Sequence, residues 1–150
     1  DRYRGLGDVY KRQILTSQNL ESLYDVMLRI LHRLFDRADG PAQPKSKLVA
    51  DTLRYIQENY PSACLTEAAN RAFVSPSYLS KLFASEMQVS FSRYLMCYRI
   101  GIAKKLLQGN GSKLYETALS VGYSDVAHLS KAFKTIEGIL PGQYKAQLSR

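Results

Sequence analysis

Two pentapeptides carry the most informative chemistry in this chain. Leu79-Ser80-Lys81-Leu82-Phe83 recurs fifty positions later as Leu129-Ser130-Lys131-Ala132-Phe133. Wound as helices, each places its Leu and Phe on one face at i,i+4. The opposite face carries Ser77, Ser80, Lys81 and Ala84 in the first copy. In the second it carries Val126, Ala127, Ser130, Lys131 and Lys134. Hydroxyls, ammonium groups and small apolar side chains suit a helix that enters a DNA major groove. They can reach base edges, thymine methyls and phosphates. The free backbone N–H groups at a helix start add a phosphate contact. Ordinary solvated faces on two helical hairpins are the plainer alternative.

Other chemistry finds little support. The two histidines, His32 and His128, have no Cys or second His at metal-ligand spacing. No GxSxG, P-loop or GxGxxG string occurs. Gly109-x-Gly111 reads as a helix stop. The five Asp and Glu beyond residue 60 are scattered rather than paired. Cys64 and Cys97 form no CxxC pair and read as small buried or half-buried thiols. A reduced, cytoplasmic protein with no enzymatic activity, no cofactor and no metal is expected.

The elements that would position the two faces are all helical. Leu48, Val49, Thr52, Leu53 and Ile56 share a face that ends near Tyr60-Pro61, and Leu65 to Ala72 is a short helix. Ser75-Pro76 is a strong start, with Ser as N-cap and Pro at N1. A long helix covers 91–107, with Phe91, Tyr94, Leu95, Tyr98, Ile102, Leu106 and Leu107 inward. Leu114 to Val121, Asp125 to Thr135 and a piece opened by Pro141 through Tyr144 complete the set. No alternating strand pattern appears. The repeat extends beyond the pentapeptides: Ala69 matches Ala118, Ser75 matches Ser124, Val89 matches Ile139 and Tyr94 matches Tyr144. The second turn is therefore one residue longer. A repeat of this length is a supersecondary unit. Its order, short helix, tight turn, second helix, is that of a helix-turn-helix, with Ala69 or Ala118 permitting close approach of the two axes.

Composition agrees. The 150 residues are 45% apolar, enough for a packed core, and the formal net charge is +8. From residue 45 onward there are fourteen Lys or Arg against seven Asp or Glu, so most of the excess charge sits with the repeat. Such a balance favours a polyanionic partner. No apolar run is long enough to cross a bilayer. Charge alone does not separate nucleic acid from an anionic membrane surface. It is the helix-turn-helix repeat that makes DNA, with no membrane, the expected partner.

With these residues in view, positions 48–145 resemble the DNA-binding domain of the AraC/XylS family of bacterial regulators. The first half shows Ser75-Pro76-Ser77-Tyr78-Leu79-Ser80-Lys81-Leu82-Phe83, Phe91-x-x-Tyr94-Leu95, then Arg99, Ala103 and Leu106-Leu107. The second shows Ala118-x-x-Val121-Gly122-Tyr123-Ser124-Asp125, Ser130-x-x-Phe133-Lys134 and Gly138-x-x-Pro141-x-x-Tyr144-Lys145. The resemblance implies an all-α fold of seven helices. Two helix-turn-helix subdomains are joined by the long helix, with recognition helices about 75–84 and 125–135 in successive major grooves. It implies base reading by Ser77, Ser80 and Lys81, and by Val126, Ala127, Ser130 and Lys131. Ser75 stands at the first helix start, and Tyr78, His128 and Lys134 flank the readers. It implies sequence-specific binding of a double-stranded operator by a transcription regulator, activator or repressor according to where the site lies, with RNA polymerase as a further partner.

Several positions depart from the family pattern. Phe73 stands where a turn glycine is usual, so a differently built turn is expected there. Gln88 replaces a glycine that the second unit keeps as Gly138. Thr117 sits in an isoleucine slot and Leu129 in an aromatic one.

Upstream of the repeat, residues 1–13 are Gly- and Arg-rich, resemble translated adapter sequence, and are expected to be a non-native or disordered tail. The opening Asp1-Arg2-Tyr3-Arg4 has no apolar h-region, so no signal peptide is expected, and the native chain is expected to continue upstream of Ile14. Residues 14–37 are expected to hold an amphipathic helix at the end of an upstream sensor or dimerisation region. Leu20, Tyr24, Met27, Leu31 and Leu34 form an a/d seam that suits a homodimer. Leu23, Leu28, Ile30 and Phe35 widen it, which suits burial on an upstream domain. Residues 38–46, with one Gly and two Pro, form a linker to the functional domain 47–150.

Overall fold

The computed structural model describes residues 42–149. The expected tail 1–13, the amphipathic helix of 14–37 with its Leu20–Leu34 seam, and linker residues 38–41 lie outside the described residues. Residues 42–46 precede the first helix without regular structure.

Every regular element among the described residues is a helix. They run in order α1 (Lys47–Asn59), α2 (Leu65–Arg71), α3 (Pro76–Met87), α4 (Phe91–Leu107), α5 (Leu114–Val121), α6 (Val126–Glu137) and α7 (Pro141–Leu148). The starts follow local chemistry. Ser46, Ser75, Ser90 and Asp125 are N-caps whose side chains accept backbone N–H bonds from Val49, Tyr78, Arg93 and His128. Each satisfies one of the donors that a helix start leaves free. The Glu86 carboxylate accepts from the N–H groups of Lys45 and Ser46 at 2.9 and 3.0 Å, which ties the chain entering α1 to the end of α3. Partial desolvation raises the Glu86 pKa, but these bonds outweigh it and hold the group below its usual range.

The apolar residues form two cores. The first gathers Val49, Ile56, Ala69, Leu79 and Phe83 from α1–α3, with Phe91 and Leu95 from the start of α4. The second gathers Ile100, Ala103 and Leu107 from the end of α4, with Ala118, Val121, Leu129 and Phe133 from α5 and α6. At 17 residues, α4 is about 25 Å long and serves both. Ala69 and Ala118 are fully buried, as close helix crossings require. The repeat is reproduced in the aromatic packing: the Phe83 and Tyr94 rings are 5.6 Å apart, and Phe133 and Tyr144 are 5.4 Å apart. Pairs of this kind add about 0.5–1.5 kcal/mol to the burial itself.

Some expectations need correction. Leu106, expected inward, is 41% exposed, and Ile100 and Ala103 fill the inner face instead. The two thiols, Cys64 and Cys97, are exposed rather than buried. The α6 cap is Asp125, so the residue equivalent to Ser75 is Asp125 and Ser124 is the inserted one. α6 runs to Glu137 and α7 to Leu148, each beyond its expected end.

The turn at Phe73 is not built differently. Phe73 takes the left-handed conformation (φ 55), as Gly122 does at the matching point (φ 102). The Val74 N–H bonds to the Ala69 carbonyl, and Tyr123 N–H bonds to the Ala118 carbonyl, at 3.1 and 2.9 Å. The Phe73 ring is 96% exposed, so it clashes with nothing and the local strain is tolerated. Gln88 likewise adopts φ 58 where Gly138 has 77.

Candidate nucleic-acid interface

The two recognition helices turn one face to the core and one to solvent. In α3, Leu79 and Phe83 are fully buried. Ser75, Ser77, Tyr78 and Lys81 are exposed, and Ser80 is half-buried. In α6, Leu129 and Phe133 are fully buried. Ala127, His128, Lys131 and Lys134 are exposed, and Val126 and Ser130 are half-buried. All eleven candidate DNA-binding residues therefore reach the surface. Their hydroxyl, ammonium, imidazole and small apolar groups offer the hydrogen-bond and van der Waals repertoire of groove reading.

The start of α6 holds an arrangement that sequence reasoning missed. Asp125 Oδ1 lies 2.8 Å from the His128 backbone N–H and 2.9 Å from His128 Nδ1. Ser124 Oγ lies 3.0 Å from the same Nδ1. With the proton on Nδ1 the ring donates to Asp125 and leaves Nε2 free to accept; protonation would make Nε2 a donor. The missed signal was the spacing Asp125-x-x-His128, which places a carboxylate beside a ring one helical turn on.

The backbone N–H of His128, followed by its nearby charge and ring bond, holds the Asp125 pKa below its usual value. A depressed carboxylate stabilises the fold above its unfolded pKa and loses that contribution as pH falls through the folded one. Asp125→Ala should therefore unfold at lower urea than wild type at pH 7. The gap should close below about pH 4, where the unfolded carboxyl protonates. Urea midpoints measured across pH 2.5–7 check this; a gap that persists undiminished at pH 2.5 rules out the ionised cap.

The two halves meet at one junction. The half-buried Arg99 in α4 donates from Nε to the Tyr60 carbonyl at 2.7 Å and from Nη2 to the Pro61 carbonyl at 3.3 Å. Its guanidinium lies 5.6 Å from the centre of the Tyr123 ring. Burial pushes the Tyr123 phenol pKa up, and the Arg99 charge pulls against it. Tyr60 packs on both cores, and its ring lies 5.5 Å from that of Tyr98 in a tilted arrangement. Gly122 lies against Pro61, and a Cβ there would sit 2.3 Å from the Pro61 carbonyl oxygen.

No helix among the described residues is long and apolar enough to cross a membrane. No group of three His, Cys, Asp or Glu among them could hold a metal ion.

Two buried-braced recognition helices on a shared spacer helix define a tandem helix-turn-helix protein. The model of the family described as "Helix-turn-helix domain" matches residues 68–147. The chain belongs to this family, in its AraC-type form. It is similar to the uncharacterized HTH-type transcriptional regulator YtdP of Bacillus subtilis, with 32% identity over 114 residues, 75% of this chain and 15% of YtdP. It is similar to the C-terminal domain of AraT, a response regulator from Geobacillus stearothermophilus. There the TM-score is 0.67 at 32% identity, covering 70% of this chain and 88% of that one. The fold is shared with the DNA-binding domain of AdpA, solved in complex with a target DNA. The TM-score is 0.63 at 21% identity, covering 68% of this chain and 93% of that one. The chain spans less than half the length of the first curated relatives it matches.

Proposed function

We propose that this chain is the operator-reading part of a bacterial transcription regulator, with α3 and α6 placed in successive major grooves of double-stranded DNA. The observation that carries the reading is the repeated division of those helices. Each buries a Leu and a Phe four apart and turns its Ser and Lys outward. A face that only needed solvation has no reason to recur with the same residues at the same register. The family, and a neighbour of the same fold solved on its target DNA, support it.

In this reading Ser77, Ser80 and Lys81, with Ser75 at the helix start, read the first half-element. Val126, Ala127, Ser130 and Lys131 read the second. Tyr78, His128 and Lys134 contact the flanking backbone. Regulation of transcription initiation as an activator adds RNA polymerase as a partner, and a DNA target places the protein in the cytoplasm. The Leu20, Tyr24, Met27, Leu31 and Leu34 seam pairs two chains, so that one operator carries two half-sites.

Selection of bound sequences from a random duplex pool tests the central reading. A two-part motif should emerge and should outcompete random duplex by roughly a thousandfold or more at physiological salt. Affinity for both should fall steeply with salt while the preference remains. Binding that never distinguishes the selected duplex from random DNA overturns it in favour of a sequence-blind binder.

A further inference from the structure

Nothing in either recognition helix determines how far apart the two are held. That distance depends on the contact between the halves, where Arg99, Tyr60, Pro61, Gly122 and Tyr123 meet. The two ends of α4 belong to different cores, so the helix by itself does not tie one core to the other. The segment after α1 closes this gap. Tyr60 and Pro61 leave the first half and reach the turn that precedes α6.

We propose that Arg99 is a positioning residue that sets the spacing and phase of the two DNA elements the protein accepts. The inference rests on the DNA-reading assignment of α3 and α6. The two carbonyls that Arg99 holds belong to the first half, and the ring under its guanidinium belongs to the turn between α5 and α6. One side chain thus touches both halves from the helix that joins them. A planar guanidinium holds two carbonyls with a rigid fork while facing a ring, whereas an ammonium is a compact charge on a flexible stem. Gly122 makes the same contact possible from the other side. Only a residue without a side chain lets the Pro61 backbone lie so close. Tyr60 also meets Tyr98 of α4 in a tilted ring pair at 5.5 Å. Loss of Arg99 leaves both cores and both recognition faces intact and frees the angle between them.

The test uses the full chain and a duplex obtained by selection with wild-type protein. A second duplex carries one extra base pair between the two protected elements. That insertion moves one element by about 3.4 Å and turns it by about 35°. Wild type should bind the lengthened duplex at least about tenfold more weakly, a penalty comparable to a mismatched base pair. Arg99→Met should reduce this penalty to under about threefold, and Arg99→Lys should fall between, since it keeps a cation near Tyr123 but lacks the rigid planar fork that holds both carbonyls in fixed geometry.

The readout is a ratio within each variant, so a partly unfolded sample lowers both affinities and leaves the ratio unchanged. Arg99→Met that retains the full insertion penalty overturns the proposal, as does wild type that tolerates the insertion. Wild type that shows no preference for the selected duplex over random DNA overturns the underlying DNA-reading assignment instead.

Discussion

Gly122→Ala will lower the thermal midpoint by more than about 10 °C. Two effects act together. Gly122 has φ 102, where an L side chain is strained, at a cost of about 1–3 kcal/mol. A Cβ at this position would lie 2.3 Å from the Pro61 oxygen and 2.8 Å from its carbonyl carbon and Cα. These are backbone atoms, so relief requires the Tyr60–Pro61 segment to move, and that segment is held by Arg99. A total of about 3 kcal/mol or more corresponds to the stated shift for a domain of roughly a hundred residues. Gly101→Ala is the control of opposite sign. Gly101 lies inside α4 with nothing within 4 Å of an added Cβ, so alanine should stabilise by about 0.5–1 kcal/mol. Thermal melts followed by circular dichroism decide both. A Gly122→Ala midpoint within about 2 °C of wild type means that the close approach to Pro61 does not hold in solution.

Lys81→Ala will lose more operator preference than Lys131→Ala. The first recognition helix surrounds Lys81 with Ser77 and Ser80, whose hydroxyls can read base edges by hydrogen bonding. The second keeps one such hydroxyl, Ser130, and otherwise surrounds Lys131 with Val126 and Ala127, which can meet thymine methyls but cannot donate or accept. Both lysines are exposed, and among the described residues no acid pairs with either. A base-reading cation is worth about 1–3 kcal/mol of discrimination, roughly 5- to 100-fold. Lys81→Ala should therefore cut the ratio of selected to random duplex affinity by about tenfold or more. Lys131→Ala removes a reader from the helix with fewer hydrogen-bonding side chains and should change the ratio by less than about threefold. Competition binding of each variant against random duplex measures the ratio, and equal losses refute the asymmetry.

Helix existence and order were legible from short-range signals. Ser75-Pro76, Gly122 and the Phe91–Leu107 apolar run act within a turn or two of where they stand, and the structure places helices there. The repeat was legible because both copies must solve the same packing problem with the same Leu and Phe. Errors arose where one face had two claimants. Leu106 and Ile100 both fit an inward stripe on α4, but the helix changes cores midway, so a single straight stripe misassigns the far end. Phe73 was misjudged for a related reason: the strain of a left-handed residue is local, but its tolerance depends on the ring having open space, which local sequence does not report. The exposed thiols of Cys64 and Cys97 follow the same logic.

The order of residues was enough to establish the all-helical make-up of residues 42–149, a duplicated unit and the identity of the outward Ser and Lys side chains. Those properties follow from periodicity and capping, which act over a few residues. Only the tertiary structure revealed that Tyr60 and Pro61 reach the turn at Gly122 and that Arg99 bridges them to Tyr123. The first of these contacts joins positions some sixty residues apart, and no local preference encodes such a meeting. It is decided by how two cores pack against one helix.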